Sequence, residues 1–217
     1  MPQSDPPSGR PLRAVADLYA ASLRDHGAAP KGVGWKSVDE QVLRFDKLVQ
    51  VIPPADRGRP IRVSDFGCGY GAMCEYLAAR DDLHLAAYWG CDICPEMLEE
   101  ARRRLDDPRA TVVQADRVTE PADYAFVSGT FNVKMDASDA EWNAFMKEVL
   151  ANLDEMSERG FAFNALSTYV DWRAENLYYA DPAEFFDFCK RHFSRSVALL
   201  HDYPLYEWTI YVRKDTA

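Results

Sequence analysis

Short apolar segments alternate with amphipathic segments along the chain, and this alternation predicts a sheet with helices packed against it. Five apolar segments have the length and composition of buried strands. They span residues 61–66, 83–91, 111–116, 122–130 and 161–166. Two more predicted strands, at 197–201 and 205–212, end the chain as a pair, and the second alternates strictly between its two faces.

Amphipathic periodicity predicts helices between these strands and before the first of them. The longest pattern runs from Ser138 to Ser157, and its apolar stripe predicts a helix packed on the sheet. The spacing of Ser37 and Glu40 matches a capping box, which predicts a helix start ahead of the first strand. The chain then divides into a flexible tail, an N-terminal helical cap and a main domain, at residues 1–11, 12–54 and 55–217.

The first predicted strand runs into a turn that contains Gly67, Gly69 and Gly71. Glycines allow such a sharp reversal and let a ligand approach bare backbone, while amides at the start of the next helix face it. The spacing also fits the dinucleotide pattern G-x-G-x-x-G/A, with Ala72 in the last position. Asp65 favours a cationic ligand, because a carboxylate there would repel a pyrophosphate. An ordinary strand–helix turn is the remaining alternative.

Residues 65–71, with the sequence DFGCGYG, resemble motif I of the class I S-adenosylmethionine-dependent methyltransferases. S-adenosylmethionine carries an ammonium and a sulfonium, which suit Asp65. The resemblance implies this cofactor, S-adenosylhomocysteine as its product, and Cys68 as part of the cofactor turn. It also implies an α/β fold, with a Rossmann-like, seven-stranded, mostly parallel sheet, helices on both faces and an antiparallel C-terminal strand. Residues 55–217 would form this methyltransferase domain.

Acidic residues at the ends of the next two strands are further cofactor candidates. Asp92 ends the second strand, where a carboxylate can accept hydrogen bonds from both ribose hydroxyls; a helix N-cap is its alternative role. Segment 90–98 resembles the family's second motif, which implies that Ile93 lies against the adenine. Asp116 resembles the family's contact to the adenine amino group, and Arg117 would line the base.

The other cofactor candidates come from the fourth strand and from the cap. Ser128 lies at the strand end, beside the expected reactive methyl group, because ligands bind outside the carboxyl ends of parallel strands. In the family an N-terminal segment commonly covers the cofactor, which makes Trp35 a candidate contact. Arg44 could hold the methionine carboxylate through a bidentate pair. Packing or a solvated helix face is the alternative role for both cap residues.

His201, Tyr178 and Tyr179 are the catalytic candidates. A hydroxyl acceptor needs a base, and an ordinary histidine titrates in the required range. The two tyrosines belong to the polar aromatic segment 167–180 and could orient an acceptor. A surface histidine and packed tyrosines are the alternatives. The fourth strand lacks the terminal acid that magnesium-dependent members use as a metal ligand, so no metal is expected.

Charge and composition narrow the range of partners. The net charge is −10, whereas general nucleic-acid binders usually present a basic face, so nucleic-acid substrates are disfavoured. The Asn/Asp-Pro-Pro-Tyr motif of many base-modifying members is absent as well. No apolar run has the length of a membrane span. The cysteines, which include the C-x-x-C at Cys91 and Cys94, are expected to be reduced thiols in the cytoplasm rather than metal ligands.

These features predict methyl transfer from S-adenosylmethionine to a small-molecule acceptor in a biosynthetic pathway, with a hydroxyl favoured over an amine. Segments such as 161–166 and 197–203 look like a bacterial subgroup of small-molecule methyltransferases. Three alternatives stay open: a tRNA or rRNA methyltransferase, a binding protein without turnover, and a nicotinamide-dependent reductase. Aromatic residues such as Trp172 or Trp208 would suit a homodimer interface as well as a pocket.

Overall fold

The computed structural model describes residues 12–214, so the predicted tail at 1–11 lies outside the described residues. One sheet of seven strands forms the centre of the described chain. The strands are β1 (Pro60–Phe66), β2 (His84–Asp92), β3 (Ala110–Gln114), β4 (Ala122–Val127), β5 (Ser157–Leu166), β6 (Ser196–Leu200) and β7 (Glu207–Arg213). Their order across the sheet is β3-β2-β1-β4-β5-β7-β6.

The direction of the strands confirms the predicted fold class. Strands β3, β2, β1, β4 and β5 pair in parallel. Strand β7 lies between β5 and β6 and is antiparallel to both. The sheet is therefore Rossmann-like and mostly parallel, with its last strand reversed, and the carboxyl ends of β1, β2 and β4 meet at one edge.

The helices lie before the sheet and between its strands. They are α1 (Leu12–His26), α2 (Val38–Leu48), α3 (Pro54–Arg57), α4 (Ala72–Ala78), α5 (Pro95–Arg104), α6 (Asp139–Met156) and α7 (Pro182–His192). The Ser37 side chain accepts a hydrogen bond from the backbone N–H of Glu40, which confirms the predicted start of α2. Ser138 and Glu141 form a reciprocal capping box at the start of α6.

Helix α6 ends where its periodicity predicts, at Met156 with Ser157 as the capping residue. Helix α6 passes directly into β5 at Ser157, so Gly160 lies inside the strand and does not terminate the helix. Gly160 has φ 154°, and a Cβ atom there would lie 2.3 Å from the carbonyl oxygen of Val212. Only glycine lets β7 approach β5 this closely.

Alternate residues of the central strands pack on opposite faces of the sheet. On β4, Ala125 and Val127 join the cluster beneath α6 and α7, whereas Tyr124 and Phe126 join the cluster beneath α2 and α4. Helix α1 contributes Val15 to the first of these clusters and Ala20 to a smaller cluster with Tyr70 and Met97. The first helix of the cap therefore packs across the residues that follow β1 and β2.

Candidate functional site

The glycine turn after β1 has the backbone conformation that the sequence predicts. Gly67, Gly69 and Gly71 have φ values of 74°, 53° and 87°, a region that glycine adopts readily. A Cβ atom on Gly67 would lie 2.1 Å from Thr130 Oγ1, and one on Gly71 would lie 2.8 Å from Leu105 Cδ1. A Cβ atom on Gly69 would make only an ordinary contact, 3.6 Å from Val33 Cγ1, so glycine is needed there for its backbone conformation.

Asp65 lies at the end of β1 with its carboxylate buried. Its Oδ2 accepts a hydrogen bond of 2.5 Å from the Tyr88 hydroxyl. Burial raises the pKa of Asp65 to about 7, opposed by the Tyr88 bond and reinforced by the charge of Asp92. A cation bound beside Asp65 would stabilise the ionised carboxylate and offset the cost of burying its charge.

Asp92 ends β2 and joins that strand to the glycine turn. Its Oδ2 accepts from the backbone N–H of Gly69 at 2.9 Å, and its Oδ1 accepts from the N–H of Cys94 at 2.8 Å. Burial raises the pKa of Asp92, and these two backbone bonds oppose the rise. Each oxygen keeps a lone pair beyond its backbone partner, so the carboxylate can accept further hydrogen bonds from a ligand.

A cavity lies between the glycine turn and the cap. Its volume is about 90 Å³, below the roughly 300–1,000 Å³ of typical small-ligand pockets. The cap side of the cavity is lined by Leu12, Val15, Tyr19, Val33, Trp35, Gln41 and Phe45. Burial raises the pKa of Tyr19 to about 12, and the nearby charge of Asp92 adds a smaller increase.

Ser128 lies at the exit of β4 and lines the same cavity. Its Oγ is buried and has no hydrogen-bond partner among residues 12–214. Buried hydroxyls normally have a partner, so this atom is available to bond a molecule in the cavity. The cavity thus combines two carboxylates, the open backbone of the glycine turn and one unsatisfied hydroxyl.

Known proteins with similar sequences are methyltransferases. The methyltransferase domain family matches residues 63–156. The protein Rv1506c of Mycobacterium tuberculosis, named as a methyltransferase, is 45% identical over 169 residues, which are 76% of this chain and 99% of that protein. The chain belongs to the class I S-adenosylmethionine-dependent methyltransferases. A trans-aconitate 2-methyltransferase of Methylobacterium nodulans is also 43% identical over 81 residues, 37% of this chain and 29% of that enzyme.

Solved structures of other methyltransferases share the fold. Magnesium protoporphyrin IX methyltransferase from Synechocystis, with bound S-adenosylmethionine, aligns with a TM-score of 0.66 at 14% identity, covering 97% of this chain and 100% of that one. The pyocyanin biosynthetic protein PhzM aligns with a TM-score of 0.61 at 16% identity, covering 91% of this chain and 62% of that one. At this identity the likeness concerns the fold of the methyltransferase and not its acceptor.

The methyltransferase cavity brings together most of the cofactor candidates. They are Asp65, Gly67, Cys68, Gly69, Asp92, Ile93, Ser128 and Trp35. Gly71 lies outside this lining, where it begins α4 and packs against Leu105. Asp116 and Arg117 follow Ala115, which does line the cavity, and Arg117 is exposed with its Nε 3.5 Å from Asp116 Oδ1. These two residues lie beyond the lining, toward its β3 side.

Arg44 has a different partner from the one predicted. Its Nε and Nη2 donate to the two carboxylate oxygens of Glu207, at 2.8 and 2.7 Å. Its Nη1 donates to the carbonyl oxygen of Glu40 at 2.8 Å. The planar donor fork is therefore occupied by protein groups, and a methionine carboxylate would have to displace Glu207. We do not retain Arg44 as a cofactor ligand.

The three catalytic candidates lie outside the cavity lining. His201 is exposed, with its ring 5.7 Å from that of Tyr169. The Tyr178 hydroxyl accepts from Asn143 Nδ2 at 2.9 Å, and the Tyr179 hydroxyl accepts from the N–H of Ala174 at 3.0 Å. Both tyrosines hold the segment after β5 in place, as expected for packed residues. His201 follows β6 at the surface, as expected for a surface histidine.

Several features of the site escaped the sequence analysis. Tyr88, the partner of Asp65, lies on β2 beside Val63, and its inward position follows only from the strand register. Trp142 and Phe145 belong to the predicted stripe of α6 but also line the cavity. Trp208 is fully buried and donates to the Ala180 carbonyl, so it is not available for a dimer interface.

The cysteines and the helices carry no additional site. All five cysteines are buried free thiols, including Cys91 and Cys94. Across residues 12–214, no group of three or more His, Cys, Asp or Glu side chains is arranged to hold a metal ion. Within the same range, every helix is too short or too polar to cross a membrane.

Proposed function

We propose that S-adenosylmethionine binds across the carboxyl edge of β1, β2 and β4 and gives its methyl group to a small-molecule acceptor. The observation that carries this proposal is the pair of carboxylates beside the glycine turn, the buried Asp65 and the half-buried Asp92. A cationic amino acid group suits the first carboxylate, and a ribose diol suits the second. A pyrophosphate would meet the charge of Asp92 and of the ionised form of Asp65 there.

Each part of the cofactor has a complementary part of the site. Asp92 accepts the ribose hydroxyls while it holds Gly69. Ile93 and Ala115 face the adenine from the ends of β2 and β3, and Asp116 with Arg117 borders the base on its outer side.

The methionine end lies over Gly67, Cys68 and Gly69, with its ammonium toward Asp65. The free Ser128 Oγ bonds to this same end of the cofactor.

The acceptor approaches from the β4 side of the cofactor. Transfer requires a lone pair in line with the methyl–sulfur bond, and positioning with exclusion of water can supply much of the rate. Because His201 lies at the surface, the base that favoured a hydroxyl acceptor is not in the cavity. We therefore propose a small-molecule acceptor without preference between a hydroxyl and an amine.

Calorimetric titration with S-adenosylmethionine, S-adenosylhomocysteine and NAD tests the proposed ligand. We expect micromolar binding of the first two and none of NAD. Binding of NAD alone would replace the proposal with a nicotinamide-dependent activity. Consumption of the cofactor in a metabolite extract then separates an enzyme from a binding protein, and a salt-sensitive shift with total tRNA would point to a nucleic-acid acceptor.

A further inference from the structure

A buried carboxylate lies behind the β4 exit, outside the cavity. Glu207, the first residue of β7, is 2% exposed. It accepts two hydrogen bonds from Arg44, which is 4% exposed. It also receives longer contacts from the side-chain amides of Asn132, at 3.5 Å, and Asn164, at 3.4 Å. Four donors thus converge on one carboxylate from α2, β5 and the loop after β4.

The side-chain amides of Asn132 and Asn164 connect Glu207 to the backbone through hydrogen bonds. Because each amide turns its Nδ2 toward the carboxylate, its Oδ1 faces the opposite way. Asn164 Oδ1 accepts from the N–H of Gly129 at 2.7 Å, and Asn132 Oδ1 accepts from the N–H of Leu166 at 3.0 Å. The Gly129 peptide, which directly follows Ser128, is therefore fixed by a side chain that Glu207 orients.

The Arg44 guanidinium also contacts Trp35, a cap residue that lines the cavity. Arg44 Cζ lies 3.8 Å from the centroid of the Trp35 ring. The edge of that ring covers Gly129, where a Cβ atom would lie 2.1 Å from Trp35 Cζ2. Trp35, Arg44, Glu207, Asn164 and Gly129 thus form a closed circuit, which we call the Trp35 circuit.

We propose that the Trp35 circuit is a positioning network that holds the β4 exit and the Trp35 ring against the methyl-donating end of the cofactor. The inference rests on the proposed function. Two members of the circuit, Trp35 and Gly129, line the cavity, and so does Ser128, whose buried hydroxyl has no partner among residues 12–214. The circuit thereby links the orientation of that hydroxyl to an ion pair, Arg44 and Glu207, that does not line the cavity.

If the Arg44–Glu207 pair served only the stability of the fold, its replacement would change stability and leave the ligand affinities unchanged. A buried ion pair contributes little net stability relative to an apolar pair of similar volume, whereas removing one partner is strongly destabilising. The double variant Arg44→Met/Glu207→Leu leaves no unpaired buried charge, so it should be more stable than Arg44→Met alone, although it remains below wild type because the amides of Asn132 and Asn164 lose their acceptor. The double variant nevertheless loses the Trp35 stacking and the orientation of both amides, so its ligand affinity separates positioning from stability.

The test compares two ligands that share the adenosine part. S-adenosylhomocysteine carries the amino acid end, and 5′-methylthioadenosine lacks it. Both are titrated calorimetrically into the wild type, the double variant and the conservative variant Trp35→Phe, at a temperature where circular dichroism shows every protein folded. We expect the double variant to bind S-adenosylhomocysteine about tenfold more weakly, with methylthioadenosine unchanged and Trp35→Phe intermediate.

Arg159→Met is the matched control, because Arg159 forms a partly buried pair with Asp56 near the amino end of β5. It should lower stability without changing the ratio of the two affinities. Equal loss of both ligands in the double variant, or wild-type affinity for both, would overturn the positioning role. Absence of S-adenosylhomocysteine binding in the wild type would instead overturn the proposed function.

Discussion

At the scale of single residues, the fold changes the acid–base chemistry of Asp65. Its carboxylate is enclosed at the end of β1, and burial raises its pKa to about 7 although Tyr88 donates a hydrogen bond to it. Near neutral pH the free protein therefore holds a proton on part of its Asp65 population. A ligand cation favours the ionised form, so protonation and cofactor binding compete at this side chain.

We predict that S-adenosylmethionine binds about tenfold more tightly at pH 8 than at pH 6, because the ionised fraction of Asp65 rises across its pKa in the free protein. Binding near pH 7 should release protons, which calorimetry in buffers of different ionisation enthalpy measures. The variant Asp65→Asn should bind weakly and show neither effect. A proton uptake by the wild type would contradict the assignment of Asp65 to the cofactor ammonium.

Asp92 supplies the second residue-scale prediction. Asp92→Ala removes the proposed ribose acceptor and also releases the N–H groups of Gly69 and Cys94. We expect affinity for S-adenosylhomocysteine to fall by about 1–3 kcal/mol in calorimetry. The exposed Asp81 provides a control, since Asp81→Ala should leave the affinity unchanged. Equal affinity of Asp92→Ala and wild type would remove Asp92 from the site.

At the scale of elements, the glycine turn is constrained differently at each of its glycines. Gly67 is enclosed by Thr130 from the β4 exit, whereas a Cβ on Gly69 would meet only Val33 of the cap, at an ordinary 3.6 Å. Gly67 is therefore needed for close packing between the exits of β1 and β4, and Gly69 is needed for its backbone conformation beside the ligand.

We predict that Gly67→Ala and Gly69→Ala separate stability from binding. Gly67→Ala should lower the melting temperature strongly, because its Cβ would collide with Thr130. Gly69→Ala should cost about 1 kcal/mol of stability through its positive φ, and its main effect should be weaker cofactor binding. Thermal unfolding and calorimetry of both variants provide the comparison. A reversed order of the two melting temperatures would argue against this division.

On the scale of the whole molecule, the cap and the sheet edge enclose the site together. Helix α1 places Val15 and Tyr19 over the cavity, and the enclosed space of about 90 Å³ is small for a nucleoside ligand. A ligand bound there would contact the cap, the glycine turn and the β4 exit together.

We predict that S-adenosylhomocysteine at about a hundredfold its dissociation constant raises the melting temperature by roughly 5–10 °C. The expected gain is about 2.7 kcal/mol of stability, because the ligand binds the folded chain and not the unfolded one. Differential scanning calorimetry measures the shift, with NAD as the control ligand. A shift of equal size with NAD would contradict the selectivity that the two carboxylates imply.

The sequence located the sheet, the order of its elements and the residues at the strand exits with good accuracy. Strand exits and positive-φ glycines depend on local backbone conformation, and local pattern reports that directly. The sequence did not predict where His201 lies, because its accessibility depends on which elements surround the end of β6. A histidine has the same sequence signature in a cleft and on a surface.

The sequence by itself determined that the chain forms a parallel α/β sheet with a glycine turn between two acids, since periodicity and glycine placement act over a few residues. Only the tertiary structure decided which distant groups meet. Arg44 and Glu207 are 163 residues apart in the chain, yet the insertion of β7 beside β5 makes them partners and takes Arg44 away from the ligand. Sheet order and register bring such groups together, and neither is encoded within one local segment.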